Sequence, residues 1–566
     1  MTRFSHVALL GLAFSWLAAC SSPPAPAPAQ AANPAPPRES LNRLVERYWD
    51  ERADPDAALS VQSLADSLAV ERRFLADILA IPRAPLDEES KLTYDIFRRR
   101  LELDIEGFTY PAELLPVEPF DGMPLQLARA AAGVGGRPFS TARDYENWLS
   151  RIDRYVGWSH QAIANMREGM RRGYTSPRVL MERMLPVLQA LGEDKSGNVF
   201  YTPLRTMPDA IKEPDRSRLS AALGSATKDR LLPAYREMHD FIRDEYIPRA
   251  RASIALSALP LGPTWYAYRV RRASDTKLTA NEIHAIGSAE VERIRAQMQA
   301  PAAAPAAASQ GLGAAELLSA YADLKQRTLA ALPGAFSALP QADFEIRAFV
   351  PPQDPSARLE YQAAMPGSKI PAVLFVNTSP GAPGSAAPAI ADFLQEAIPG
   401  RHLQAALQRE RTDLPRLRRF GSEPAFDDGW ALYAASLGGD MGLYPDEESK
   451  RAALEGQLKC AAALVVDTGL NAKGWTHQQA VDYLKAKLGL DDAQARLSTD
   501  RFVAEPADAL ACKMGELDIQ SLRGRAQQAL GARFDLREFH AEILKDGAMP
   551  LGVLDAKMKV WMEAQH

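Results

Sequence analysis

Hydrophobic positions recur at helical spacing along most of this chain. In "ESLNRLVERYWDERA", Leu41, Leu44, Val45 and Tyr48 fall on one face at the three- and four-residue spacing of an amphipathic helix. The stretch "ARDYENWLSRIDRYVGWSHQAIANMREGMRRGY" repeats the pattern with Tyr145, Trp148, Leu149, Ile152 and Val156. "TANEIHAIGSAEVERIRAQMQA" opens with Thr279 and, three residues on, Glu282, which predicts a helix start closed by a capping box. Helical spacing resumes near residue 388 and runs to the end. Between 343 and 378 the pattern changes: "DFEIRAFVPP", "ARLEYQAAM" and "IPAVLFVNT" are short, β-prone and bounded by Pro and Gly, which predicts two or three strands. The expected architecture is mainly α, a large helical domain with a small antiparallel sheet just before a helix over 394–407.

Composition narrows the picture. The chain has 566 residues, 46% apolar and 24% charged, an ordinary globular mixture. Its net charge of −5 offers no basic excess, so nucleic acid is not an expected partner. The densest basic runs, "RRR" at 98–100 and "RLRRF" at 416–420, read as solvated helix faces. Low-complexity stretches at 298–312 and 378–389 read as surface loops rather than domain boundaries. Residues 39–566 are therefore expected to form one domain.

The N-terminus carries a targeting signal. Arg3 precedes "VALLGLAFSWLAAC", an apolar run too short to span a membrane as a mature anchor. Its end, Leu17-Ala18-Ala19-Cys20, resembles the lipobox of bacterial lipoproteins. That resemblance implies a signal peptide over 1–19, cleavage before Cys20, and a membrane partner held through lipid on Cys20. Several acyl chains on one cysteine give lasting anchorage. Ser21, where an Asp is absent, implies the outer membrane, with the domain facing the periplasm. The Pro/Ala-rich stretch to residue 38 reads as a semi-rigid tether. Cys460 and Cys512 are the only other cysteines; an oxidising periplasm would permit one bond, but they read as small buried residues.

The chemistry centres on "LQEAIPGRHLQAAL" at 394–407. Together with "MREGMRRGYTSPR", "LTANEIHAIGSAEVERI", "DDGWALYAASLGGDMGLY", "LVVDTGLNAKGW" and "FHAEILKDGAMPL", it resembles the bacterial "domain of unknown function 885" proteins, distant relatives of carboxypeptidase Taq among helical zinc peptidases. The resemblance implies a zincin-like fold and, in the parent family, zinc held by three protein ligands with water at the fourth position. A glutamate would deprotonate that water.

The departures fall on the metal positions. The family motif His-Glu-x-x-Pro-Gly-His-His-x-Gln becomes Gln395, Glu396, Pro399, Gly400, Arg401, His402 and Gln404, and the later glutamate of Glu-Gly-Trp-Ala-Leu-Tyr becomes Asp428. Glu396 keeps the place of the catalytic base. A Gln carbonyl is a weak ligand, Arg cannot coordinate, and Asp is one methylene shorter than Glu. No zinc or other cofactor is therefore expected. Arg401 is expected to stand in for the metal, pairing with Glu396 or Asp428. Pro399 predicts a kink, which leaves open whether Arg401 or His402 faces the old metal position.

The same resemblance marks Tyr433, Asn471, Asp508, Cys512, Arg523 and His540 as candidate groove residues. Asn471 stands for a family histidine, Asp508 for Gln and Cys512 for Tyr. Tyr433 has the place of an oxyanion donor, though core packing explains it equally. Three functions remain open: a non-catalytic pseudo-peptidase that binds a peptide or envelope component, a working hydrolase using Glu396 or Asp428 as base, and a structural envelope protein with a closed groove.

Overall fold

The computed structural model describes all residues except 1–35, 53–58, 135–138, 300–311, 350–356, 366–369, 380–386 and 566. The signal peptide, the lipidation residue Cys20 and almost all of the tether lie outside the described residues, as do most of the two low-complexity stretches. Among the described residues no helix is long and apolar enough to cross a membrane.

The N-terminal helices α1 (Pro37–Glu51), α2 (Val61–Leu79) and α3 (Glu88–Gly107) pack around a small core of their own. The predicted face Leu41, Leu44, Val45 and Tyr48 is buried there against Phe74, Phe97 and Leu101. Helix α4 (Ala142–Arg172) buries Tyr145, Trp148 and Ile152, while Leu149 and Val156 are half-buried. Helix α5 spans Gly262–Ser274 and α6 spans Ala280–Met298. The capping box at the start of α6 forms as expected, with Thr279 and Glu282 each bonding the other's backbone N–H.

The sheet has three strands, β1 (Phe344–Ala348), β2 (Leu359–Gln362) and β3 (Ala372–Val376), in the order β1-β3-β2. It is mixed, not antiparallel as expected: β3 runs parallel to β1 and antiparallel to β2. The chain turns back from β2 to β3 antiparallel, and because β2 itself runs opposite to β1, β3 lies beside β1 in β1's own direction. Phe344, Leu359, Leu374 and Val376 point inward onto the main core, where Phe393, Leu403 and Trp430 meet them. Val373 and Phe375 point to the other face, beside a cavity of about 140 Å³ that Arg347, Gln362 and Met365 also line.

The expected helix over 394–407 is two helices, α7 (Ile390–Glu396) and α8 (Arg401–Glu410), joined by a break at Ala397–Gly400 with a cis Ile398–Pro399 bond. The expected kink is thus a full interruption. Pro399 has no N–H to continue the ladder. The amide of Gly400 reaches back to the Leu394 carbonyl, and a side chain there would sit 1.9 Å from the Gln395 oxygen. Only glycine fits.

A short helix, α9 (Arg416–Phe420), leads into α10 (Pro424–Ser436), which is followed by α11 (Glu447–Ala472), α12 (Leu510–Leu530) and α13 (Leu536–Leu544). Helices α10 and α12 cross at Gly429 and Gly515; a Cβ on Gly429 would lie 2.4 Å from the Gly515 Cα. That close approach fixes how α10 presents Asp428. The basic run on α9 is no solvated face, since Arg418 is 2% exposed and donates to Thr93 Oγ1 and the Asp546 carbonyl. Cys460 and Cys512 form a disulfide between α11 and α12, Cα to Cα 6.1 Å, rather than standing as separate buried thiols.

Candidate functional site

The break before Arg401 decides which side chain faces α10. Arg401 is the first residue of α8, and its guanidinium turns back toward the end of α7 and across to α10. Its Nη2 donates to Asp428 Oδ1 at 2.7 Å, and its Nε lies 3.2 Å from Glu396 Oε2. Gln395 Nε2 reaches Glu396 Oε1 at 3.4 Å. The side chains of Glu396, Arg401 and Asp428 are 20%, 31% and 33% exposed, so the group is partly open to solvent rather than sealed in the core.

Electrostatics follow from that setting. Burial pushes the Glu396 carboxyl above the usual carboxylate range, and Arg401 only partly opposes this. Burial disfavours the Arg401 cation, yet Glu396 and then Asp428 more than offset it, so the guanidinium holds its proton more firmly than usual.

His402 points the other way. It is 2% exposed, and both ring nitrogens are engaged. Nε2 lies 3.0 Å from the Ala342 carbonyl, which can only accept, so the proton sits on Nε2 and Nδ1 accepts from the Tyr361 hydroxyl at 3.1 Å. Burial lowers its pKa to about 4, so it is neutral at physiological pH. Phe344 packs against the ring. His402 thus bolts α8 to the sheet.

The zinc that the sequence resemblance implies does not fit these residues. A metal at the position between Glu396 and Asp428 would meet a permanent cation, and the one remaining histidine has no free nitrogen. Among the described residues no group of three His, Cys, Asp or Glu side chains is arranged to hold a metal ion.

Sequence reasoning missed two further carboxyls on this wall. Asp427 accepts from Ser422 Oγ at 2.5 Å and from the Glu423 amide at 3.0 Å, while its Oδ1 is buried without a partner. Burial raises Asp427 to about 6 and Glu423 to about 7. The only signal was the doublet Asp427-Asp428 and the four-residue step from Glu423, and neither reveals burial.

The remaining candidates split into two groups. Tyr433, His540 and Arg523 meet in one network on α10, α13 and α12. His540 Nδ1 is 2.9 Å from the Ala335 carbonyl, so its Nε2 accepts from the Tyr433 hydroxyl, also at 2.9 Å. Arg523 donates to that hydroxyl at 3.3 Å and to Asp440 at 3.2 Å. Tyr433 and His540 are 1% and 0% exposed, and burial moves them to about 12 and about 4.

Asn471, Asp508 and Cys512 lie elsewhere. Asn471 Oδ1 accepts from the Leu256 amide and its Nδ2 donates to the Asp467 carbonyl. Asp508 makes a surface pair with Arg269 at 2.9 Å. Cys512 is spent in the disulfide.

A family model described as "Bacterial protein of unknown function (DUF885)" matches residues 50–558. The chain belongs to that family. Two solved structures share the fold of this DUF885 protein, both described as putative lipoproteins. The one from Colwellia psychrerythraea is 22% identical with a TM-score of 0.80, covering 94% of this chain and 100% of its own. The other, "of unknown function" from Shewanella oneidensis, is 15% identical with a TM-score of 0.66, covering 93% and 100%. No curated protein matches the sequence.

Proposed function

We propose that this DUF885 protein is a lipid-anchored envelope protein built on a metallopeptidase-like scaffold, in which Arg401 has replaced the metal and the recess binds a peptide or envelope component without cleaving it. The observation that carries this reading is the guanidinium paired with both Asp428 and Glu396; the sequence resemblance is what assigns these positions to the parent family's ligands. A cation fixed by protein neutralises the two carboxylates but supplies no water-activating Lewis acid. The partial exposure of all three side chains favours a binding recess over a closed structural groove. The lipobox-like Leu17–Cys20 segment, Ser21 after it, and the description of the two fold neighbours support anchorage to the outer membrane with the domain in the periplasm. Residues 39–566 are read as one folding unit on that tether.

One observation favours a second reading, a metal-free hydrolase. Burial raises Glu396, which suits a carboxyl to general acid–base work nearer neutral pH. Peptide mapping by mass spectrometry separates the two. The protein is incubated with a mixed peptide digest beside its Glu396→Gln variant. The proposed reading expects no cleavage that depends on Glu396. Cleavage present in the wild type and lost in E396Q would overturn it in favour of the hydrolase.

A further inference from the structure

Residues 411–423, between Arg401 on α8 and Asp428 on α10, are held locally by Gln408, which donates to the Arg418 and Gly421 carbonyls, and by Arg419, which donates to the Arg409 carbonyl. A second set of contacts comes from far away in sequence: the N-terminal helices grip them. Arg411 Nη2 donates to Glu89 at 2.5 Å, and Arg418 Nη1 to Thr93 Oγ1 at 2.8 Å, both on α3. The Arg416 amide donates to Glu46 Oε1 at 2.7 Å and its Nη2 to Asp50 at 2.8 Å, both on α1. Leu417 enters the small core of α1–α3, and Trp49 packs on Phe420. These same helices come directly after the membrane tether in the chain.

At the centre of that three-helix layer lies an acid with no structural need to be one. Glu71 on α2 is 9% exposed. Its Oε1 accepts from the Tyr48 hydroxyl of α1 at 3.1 Å, and its Oε2 is buried with no partner among the described residues. The charged and titratable groups facing it are Tyr48 from α1, Arg52 just after its end, and Arg100 and Asp104 from α3; on α2 itself Arg73 turns outward to pair with Glu51. Asp104 is already committed to Arg272 at 2.6 Å and lies 3.4 Å from Arg100 Nε, so Arg100 is shared before Glu71 draws on it. An ionised Glu71 would leave one oxygen without a donor and a second carboxylate nearby, a cost that Arg100 and Arg52 only partly offset; the neutral acid costs less.

We propose that α1–α3 act as a proton-sensitive strap over the 411–423 segment, fastened while the Glu71 carboxyl is neutral and loosened when it ionises. The strap ties the tether-proximal helices to the spacing of Arg401 and Asp428, and so governs the recess whatever that recess binds. Burial raises Glu71 to about 7, with Asp104 adding to the shift and Tyr48, Arg100 and Arg52 opposing it. The sign follows. A carboxyl raised in the folded state contributes stability that is fully present below its ordinary value and is lost as pH rises through the folded value. The strap is therefore firm near pH 5 and loose above about pH 7.

Hydrogen–deuterium exchange on the full chain in detergent, corrected for the intrinsic pH dependence of exchange, tests this. Between pH 5 and pH 7.5 the opening of residues 61–79 should rise by roughly tenfold or more, since one linked proton changes an equilibrium by up to about tenfold per pH unit. Residues 411–423 should open with them. In Glu71→Gln, which keeps the shape and cannot ionise, the rise should vanish. Should E71Q fail to fold, Tyr48→Phe serves: it removes the donor that favours the ionised acid, so the midpoint should move to higher pH. The proposal is overturned by an equal rise in wild type and E71Q, by no rise in the wild type, by an unmoved midpoint in Y48F, or by α2 opening while 411–423 stays protected.

Discussion

Replacing Arg401 with methionine keeps much of the side-chain volume and removes the one cation between Glu396 and Asp428. Breaking a fully buried ion pair costs about 3–5 kcal/mol, because the partner charge is stranded. An exposed pair costs about 1 kcal/mol or less. The Arg401 side chain is 31% exposed and the Asp428 side chain 33%, so solvent screens part of the loss. A destabilisation of about 2 kcal/mol at pH 7 is the expected value, lying between those limits. Urea unfolding followed by circular dichroism measures it. The pH dependence adds a sharper test. Without Arg401 the main opposition to the effect of burial on Glu396, whose carboxyl is already raised in the wild type, is gone. A raised acid costs stability as pH climbs above its ordinary value and costs nothing once protonated. The R401M deficit should therefore shrink as pH falls from 7 toward 4.5, and adding E396Q and D428N should recover most of it. A deficit within about 0.5 kcal/mol of zero, as for an ordinary surface substitution, would refute the reasoning. So would one that does not change with pH.

Other consequences can be measured in the same way. Ala507 has a φ of +73°, in the left-handed region that favours glycine; Ala507→Gly should raise stability by about 1 kcal/mol in chemical unfolding. The Cys460–Cys512 bond closes a sequence separation of 52 residues, so Cys460→Ser should cost roughly 4 kcal/mol by the chain-entropy estimate, seen as a lower midpoint without reductant and none of the wild type's sensitivity to dithiothreitol. His540 is buried as the neutral base with its pKa lowered to about 4. Its contribution is present above the ordinary histidine value and lost as pH falls through the folded one, so wild-type stability should drop below about pH 6.5, and His540→Gln should flatten that slope.

How far the sequence carried the fold can be judged residue by residue. The helical faces at Leu41–Tyr48 and Tyr145–Ile152 and the Thr279–Glu282 box were legible because period and capping are local properties. Strand direction was not. The order β1-β3-β2 depends on how two connections cross, and nothing in "IPAVLFVNT" says that its neighbours are one parallel and one antiparallel strand. The site was legible in composition and illegible in orientation. That Arg401 would seek Glu396 or Asp428 followed from charge once the family resemblance had put the three at one site. That His402 would turn to Ala342 and Tyr361 depended on a helix break whose geometry rests on Pro399 and Gly400 together. The basic run at 416–420 misled for a related reason. Charge runs favour water on average, but Arg418 finds a hydroxyl and a carbonyl inside the protein that local sequence does not display. The cysteine pairing was hidden because two residues far apart in sequence approach only where α11 and α12 pack.

Whether the Glu396–Arg401–Asp428 cluster takes a metal is the point on which the proposed function turns. Elemental mass spectrometry on protein lacking the lipid anchor, incubated with zinc and then desalted, measures it directly. With Arg401 holding Glu396 and Asp428, and with both nitrogens of His402 spent, the protein should retain no zinc above background. Near-stoichiometric zinc that disappears in His402→Ala would contradict this, and would mean that His402 leaves Ala342 and Tyr361 to serve as a ligand.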